Sequence, residues 1–127
     1  MDPDRTLYDA VGGTLFFERL VGAFYDGVAE DEILRSLYPQ DLGPPRRHLA
    51  LFLAQYWGGP AAYDAERGEP RLRLRHVPFA IGRDERDRWL GHMRAAVAAL
   101  DSPEEVADAL MEYFEMAAEA LVNREGG

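Results

Sequence analysis

The period of the apolar residues constrains this chain most. From Thr14 onward they recur at spacings of three and four, and no stretch alternates with period two for long enough to build a sheet. An all-α fold is the expectation. Phe17, Val21, Phe24, Tyr25 and Val28 form one stripe over about 14–29, behind a Gly12-Gly13 pair that permits a sharp turn. A short helix is predicted over 32–38, and Pro39 ends it by pushing the residue before it out of the α region. Pro44-Pro45 opens a helix with the stripe Leu49, Phe52, Leu53 and Tyr56, which Gly58-Gly59-Pro60 closes. Residues 61–70 are polar and aperiodic and predict a loop. Asp84 is the predicted cap of a further helix that faces inward through Trp89, Met93, Ala96 or Val97, and Leu100. Ser102-Pro103-Glu104-Glu105 reads as a capping box with proline at the first helical position. It starts a last helix through Val106, Leu110, Tyr113 or Phe114, Ala117 and Leu121.

With 127 residues, 47% hydrophobic and 29% charged, the chain suits one core. The expectation is a single domain over 1–127 whose ends, 1–5 and 124–127, are frayed. A formal charge of -9 argues against nucleic acid or an anionic membrane as partner, because phosphate binding needs a cationic face. The absence of cysteine excludes disulfides, iron-sulfur clusters and thiolate sites, and is compatible with a reducing compartment. The N-terminus is polar and the longest apolar run, Ala95 to Leu100, is too short to span a bilayer, so no stable membrane insertion and a cytoplasmic location are expected.

His76 is the residue with the most chemical promise. It is one of three histidines and ends the run Pro70-Arg71-Leu72-Arg73-Leu74-Arg75-His76-Val77-Pro78-Phe79. Gln55-Tyr56-Trp57-Gly58-Gly59-Pro60 precedes it and Trp89 follows by thirteen residues, so aromatics that could wall a flat cofactor bracket it. Haem iron takes a neutral imidazole nitrogen while the other ring nitrogen donates to an oxygen that fixes the tautomer. Arg71, Arg73 and Arg75 suit the propionates, because guanidinium matches carboxylate geometry; a solvated face accounts for Arg71 and Arg73 equally well. Zinc would have only His48, His76 and His92, with no Glu-spaced pair among them. Tyr25, Tyr38 and Trp89 each carry a donor that needs a partner when buried. They read either as plain core or as donors converging on one polar ligand, such as dioxygen held at iron. Leu49, Phe52 and Leu53 likewise read as an apolar wall against a porphyrin or as ordinary core.

Taken together, Gly12-Gly13, Phe24-Tyr25, Tyr38-Pro39, Gln55-Tyr56-Trp57-Gly58-Gly59-Pro60, Tyr63, Pro70-Arg71-Leu72-Arg73, Arg75-His76-x-Pro78-Phe79 and Trp89 closely resemble the group II (O-type) truncated haemoglobins of bacteria. The resemblance spans nearly the whole chain. It implies a two-over-two helical sandwich around haem b (iron protoporphyrin IX), with a vestigial first helix and a proximal helix mostly replaced by loop. It implies His76 as the proximal iron ligand and Tyr25, Tyr38 and Trp89 as a distal polar cage. Leu49, Phe52 and Leu72 would line the haem, and Phe79, Ile81 and Met93 would pack on its proximal side or edge. His48, Tyr63 and Arg75 would meet the propionates. His48 stands where the family usually has lysine or arginine, which makes that contact weaker and pH-dependent. Pro45 takes the place of the distal histidine of ordinary globins and has no side-chain donor.

Two hydrogen bonds of about 1.5 kcal/mol each would slow release of dioxygen roughly a hundredfold. The resemblance thus points to tight binding of dioxygen, and of carbon monoxide or nitric oxide, rather than to bulk oxygen transport. An alternative on the same cofactor is a redox enzyme, a peroxidase or nitric oxide dioxygenase-like protein, supplied with electrons by an unidentified reductase. A third reading is a haem-free helical interaction domain, and a homodimer is the assembly considered.

Overall fold

The computed structural model describes residues 6–76 and 79–123, the side chains of 73 and 74 excepted. The termini expected to fray lie outside the described residues, as do Val77 and Pro78 of the histidine motif. The helices are α1 (Leu7–Ala10), α2 (Thr14–Ala29), α3 (Glu32–Arg35), α4 (Gly43–Tyr56), α5 (Ala62–Arg67), α6 (Leu72–His76), α7 (Arg83–Ala99) and α8 (Glu104–Leu121). No strand occurs among the described residues, and no helix there is long and apolar enough to cross a membrane.

Helix α2 is the central element. It begins after Gly12 and Gly13, whose φ angles of +93° and +94° only glycine adopts without strain. Phe17, Leu20, Val21, Phe24, Tyr25 and Val28 bury one continuous face, and each such apolar side chain stabilises the fold by about 1.5–3 kcal/mol. That helix packs on α4 and on α7, α7 packs on α8, and α6 lies against α8. Two helix pairs, α2 with α4 and α7 with α8, are thus joined through α2 and α7.

The glycine pair after α4 serves a close approach as well as a helix end. A Cβ on Gly58, at φ +109°, would stand 2.5 Å from Thr6 Cβ, and one on Gly59 would meet the Tyr8 ring and the Ala54 carbonyl. This lets the Tyr8 N–H donate to the Trp57 carbonyl at 3.0 Å, which lays α1 across the end of α4.

Several expectations need correction. Helix α3 stops at Arg35, three residues early, because the Arg35 guanidinium donates to the carbonyls of Tyr38, Pro39 and Gln40 at 3.4, 2.8 and 2.6 Å and holds a turn there. The predicted loop over 61–70 contains α5: Gln55 Oε1 accepts the Asp64 N–H at 3.0 Å, and Gly68 at φ +77° ends the helix. Asp84 does not cap α7; the N-cap is Gly82, whose N–H donates to Glu85 Oε1 at 2.7 Å. The Ser102 hydroxyl caps nothing; it is buried without a hydrogen-bond partner. In α8 the buried positions are Val106 and Leu110, as expected, with Phe114 rather than Tyr113 and Ala118 rather than Ala117, and in α4 Tyr56 is 49% exposed.

Candidate functional site

The residues singled out in the sequence meet around one apolar cluster. Tyr25, Phe52, Tyr63 and Met93 belong to it, and Tyr38, Leu49, Leu72 and Trp89 pack against it. Tyr63 comes from α5 and sets its ring edge-on to Phe52, with centroids 5.5 Å apart. Ile81 is half-buried, Pro45 is half-buried in the first turn of α4, and Phe79 is 41% exposed with its ring 6.3 Å from that of His76.

Tyr25, Tyr38 and Trp89 converge from three elements. The rings of Tyr25, on α2, and Tyr38, in the turn after α3, lie 5.4 Å apart at 82°. Burial pushes the Tyr25 hydroxyl well above the usual phenol range, and the electrostatic effect of the neighbouring Tyr38 adds to it. Burial also raises the Tyr38 hydroxyl, while the nearby polar groups of Tyr25 and Trp89 pull the other way. Tyr38 is therefore the residue at which the other two meet.

His76 ends α6, which the chain enters through Arg71 at φ +44°. Its Nδ1 lies 2.6 Å from the Leu72 carbonyl. A carbonyl only accepts, so Nδ1 carries a proton, and of the two neutral tautomers the contact selects the one whose lone pair is on Nε2. That is the state a metal-ligating imidazole needs.

A cationic rim stands beside this region in an otherwise acidic protein. Arg67 Nη1 donates to His48 Nδ1 at 2.7 Å, and Arg47 Nε donates to Glu66 at 3.3 Å. Burial lowers the His48 imidazole below its ordinary value, and Arg67, Arg47 and Arg75 reinforce this against Glu66. His48 is thus held neutral, and Arg67 beside it carries the permanent charge. Arg75 turns back on the chain, with Nε donating to the Pro70 carbonyl at 2.7 Å and Nη2 to the Arg67 and Glu69 carbonyls at 3.0 and 3.4 Å. Arg71 is exposed and pairs with Glu69 at 3.4 Å.

Two residues at this site escaped the sequence reading. Arg67 sat in the predicted loop, although Gly68 behind Ala65-Glu66-Arg67 is a helix-end signal. Asn123, to which the sequence assigns no role, bonds the backbone at His76, Phe79 and Ile81. No spacing rule announces a contact across 47 residues.

Among the described residues no group of three or more histidine, aspartate and glutamate side chains could hold a metal ion, and His92 Nε2 is 2.8 Å from Asp31 rather than near His76. An imidazole with a free Nε2, an aromatic and aliphatic wall, and a rim of arginines fit a flat, dianionic metal macrocycle such as haem.

The comparisons with known proteins agree. The family model for bacterial-like globins matches residues 6–123. Group 2 truncated hemoglobin YjbI of Bacillus subtilis is 38% identical over 117 residues, 92% of this chain and 88% of that protein. The structure of a thermostable hemoglobin from the actinobacterium Thermobifida fusca has a TM-score of 0.92 and 55% identity, covering 94% of this chain and 98% of that one. A truncated oxygen-avid haemoglobin from Bacillus subtilis has a TM-score of 0.89 and 36% identity, covering 94% and 100%. This chain belongs to the bacterial-like globin family and has the truncated globin fold of the group II truncated haemoglobins.

Proposed function

We propose that the protein is a single-domain haem b protein that binds dioxygen and other diatomic ligands tightly, with His76 holding the iron. Membership of the globin family implies a haem cofactor. When bound, haem would supply an iron atom able to take small diatomic ligands. The observation that carries this reading is the 2.6 Å contact from His76 Nδ1 to the Leu72 carbonyl, which fixes the tautomer that offers Nε2 to a metal. Leu49, Phe52 and Tyr63 exclude water from the pocket, and Arg67, with His48, answers the propionate charge. On the distal side Tyr25 and Trp89 orient Tyr38, whose O–H donates to the ligand. One donor of about 1.5 kcal/mol slows release roughly tenfold, and this supports tight binding over bulk transport.

Oxygen dissociation from the reduced protein, followed by stopped flow, tests the reading. Slow release that accelerates about tenfold in Tyr38→Phe supports it. Rapid release that is indifferent to Tyr38 contradicts it.

A second reading, haem-dependent oxidation by peroxide with electrons from outside the protein, has one specific observation in its favour. Aromatic rings run in contact from Trp89 through Phe114 and Tyr113 to the half-exposed Tyr56.

A further inference from the structure

Arg35 is the last residue of α3, and its guanidinium reaches forward over the corner that carries Tyr38. Nη1 donates to the Pro39 carbonyl at 2.8 Å and more weakly to that of Tyr38 at 3.4 Å, while Nη2 donates to the Gln40 carbonyl at 2.6 Å. The chain runs without helix from Ser36 to Leu42. Backbone bonds reach as far as Tyr38, whose N–H donates to the Arg35 carbonyl at 3.2 Å; Pro39 has no N–H, and from there to Gln40 the guanidinium takes over. Two nitrogens fixed side by side in one plane can span successive carbonyls, which the single nitrogen of a lysine ammonium cannot do.

The other end of the same helix is tied to α7. Asp31 caps α3 at the Ile33 and Leu34 N–H groups and meets His92 at 2.8 Å and Arg88 at 3.3 Å, and Arg88 is the residue before Trp89. Between the two ends Leu34 is 2% exposed. A helix of four residues thus has its middle in the core and both ends fastened by side chains. Such a frame matters to a donor at its edge, because good hydrogen-bond lengths cover only about 0.5 Å, and a corner displaced by about 1 Å loses the bond its side chain would make.

We propose that Arg35 is a positioning residue for the distal donor: through the backbone of residues 38–40 it sets where the Tyr38 hydroxyl stands over the ligand. This rests on the reading of Tyr38 as the donor. The bonds Arg35 makes go to the backbone, so its effect on the ligand passes through the corner.

The experiment compares the haem-loaded parent with Arg35→Met, Arg35→Lys, Tyr38→Phe and the double variant Arg35→Met/Tyr38→Phe. Three quantities are read: oxygen release, the infrared stretching band of bound carbon monoxide, and hydrogen exchange of the peptide over residues 36–43. In Arg35→Met the peptide is expected to exchange faster, the band to broaden and move toward its position in Tyr38→Phe, and release to quicken severalfold, though by less than in Tyr38→Phe. Arg35→Lys, which keeps the charge and loses the planar fork, is expected between the parent and Arg35→Met, and it carries the comparison alone if Arg35→Met does not fold. The double variant is expected to release oxygen no faster than Tyr38→Phe, because a residue that acts through Tyr38 has nothing to add once its hydroxyl is gone. A lowered Tm with parental band and release in the Arg35 variants overturns the proposal, since a merely structural role moves Tm alone. Full additivity in the double variant overturns it too. If Tyr38→Phe slows or speeds nothing, the donor reading and the proposal fall together; if Tyr38→Phe acts and the Arg35 variants do not, only the proposal falls.

Discussion

Asn123 holds the backbone of His76. Its Nδ2 donates to the His76 carbonyl at 3.3 Å and to the Phe79 carbonyl at 2.8 Å, and its Oδ1 accepts the Ile81 N–H at 2.8 Å. Its own N–H donates to the Ile81 carbonyl at 2.8 Å. The last residue described after α8 therefore closes the segment that presents the histidine, and α6 itself rests on α8.

Removing that side chain is expected to loosen the histidine more than the fold. Asn123→Ala deletes three side-chain hydrogen bonds, each contributing about 1 kcal/mol net, so haem transfer to apomyoglobin should accelerate at least roughly tenfold. Asn123→Asp keeps the acceptor toward Ile81 and loses the donor, and should fall between. Identical transfer rates in all three proteins would show that the contact does not act on the histidine.

The distal tyrosines are expected to be unequal. The Tyr25 ring packs edge-on against Tyr38, so on the proposed reading Tyr25→Phe alters a neighbour of the donor while Tyr38→Phe removes the donor itself. Oxygen release should quicken about tenfold for Tyr38→Phe and by less for Tyr25→Phe, as stopped-flow rates would show. The reverse order would assign the donor to Tyr25.

Asp31 ties α3 to α7. Its side chain is 7% exposed, caps α3, and meets His92 at 2.8 Å and Arg88 at 3.3 Å. Burial opposes its charge, yet the hydrogen bonds from His92 and the Leu34 N–H, with Arg88 nearby, hold the carboxyl below its ordinary range. A carboxyl lowered by folding stabilises above its unfolded value, and that stability is lost as pH falls through the folded value. Asp31→Asn keeps a capping oxygen and loses the charge. It should cost about 1–2 kcal/mol at pH 7, roughly 4–7 °C in Tm for a domain of this size, and the gap should close as pH falls below about 4. Thermal unfolding at equal haem loading measures it.

His48 and Arg67 give a second pH-dependent outcome. Burial is the larger cause of the lowered His48 value and Arg67 the next, so Arg67→Gln should raise it toward 6.5 without reaching it. Folding that lowers a histidine's value stabilises the protein above the unfolded value and loses that stability as pH falls, so the variant should lose less between neutral and mildly acid pH. The His48 ring proton shift followed by NMR reports the first effect. An unmoved titration would mean that the 2.7 Å contact is absent in solution.

The four long helices were legible because each buries a continuous stripe, and a stripe is a property of local spacing. Helix α5 was not, because Asp64, Ala65, Glu66 and Arg67 are all exposed and only Tyr63 of that helix is buried, so it has no stripe to read. Its start depends on Gln55, nine residues away on another helix. Cap positions failed for a related reason: Ser102 and Asp84 have the right chemistry, but the chain enters its helices one or two residues away and leaves one hydroxyl buried and one carboxylate paired with Arg88. His76 stood out from motif order, whereas its tautomer depends on the Leu72 carbonyl and its anchoring on Asn123, which are facts of three-dimensional packing. Tyr56 shows the opposite error, since its spacing is that of a core residue and its ring lies at the surface against Tyr113.

The most direct measurement is the absorption spectrum of the purified protein as isolated, after dithionite, and after carbon monoxide, recorded beside His76→Gly with and without added imidazole. A strong Soret band that shifts with carbon monoxide, weakened or altered in His76→Gly and restored by imidazole, is the expected result. No Soret band even after added hemin, or a His76→Gly spectrum identical to that of the parent, would contradict the assignment of His76 as the iron ligand.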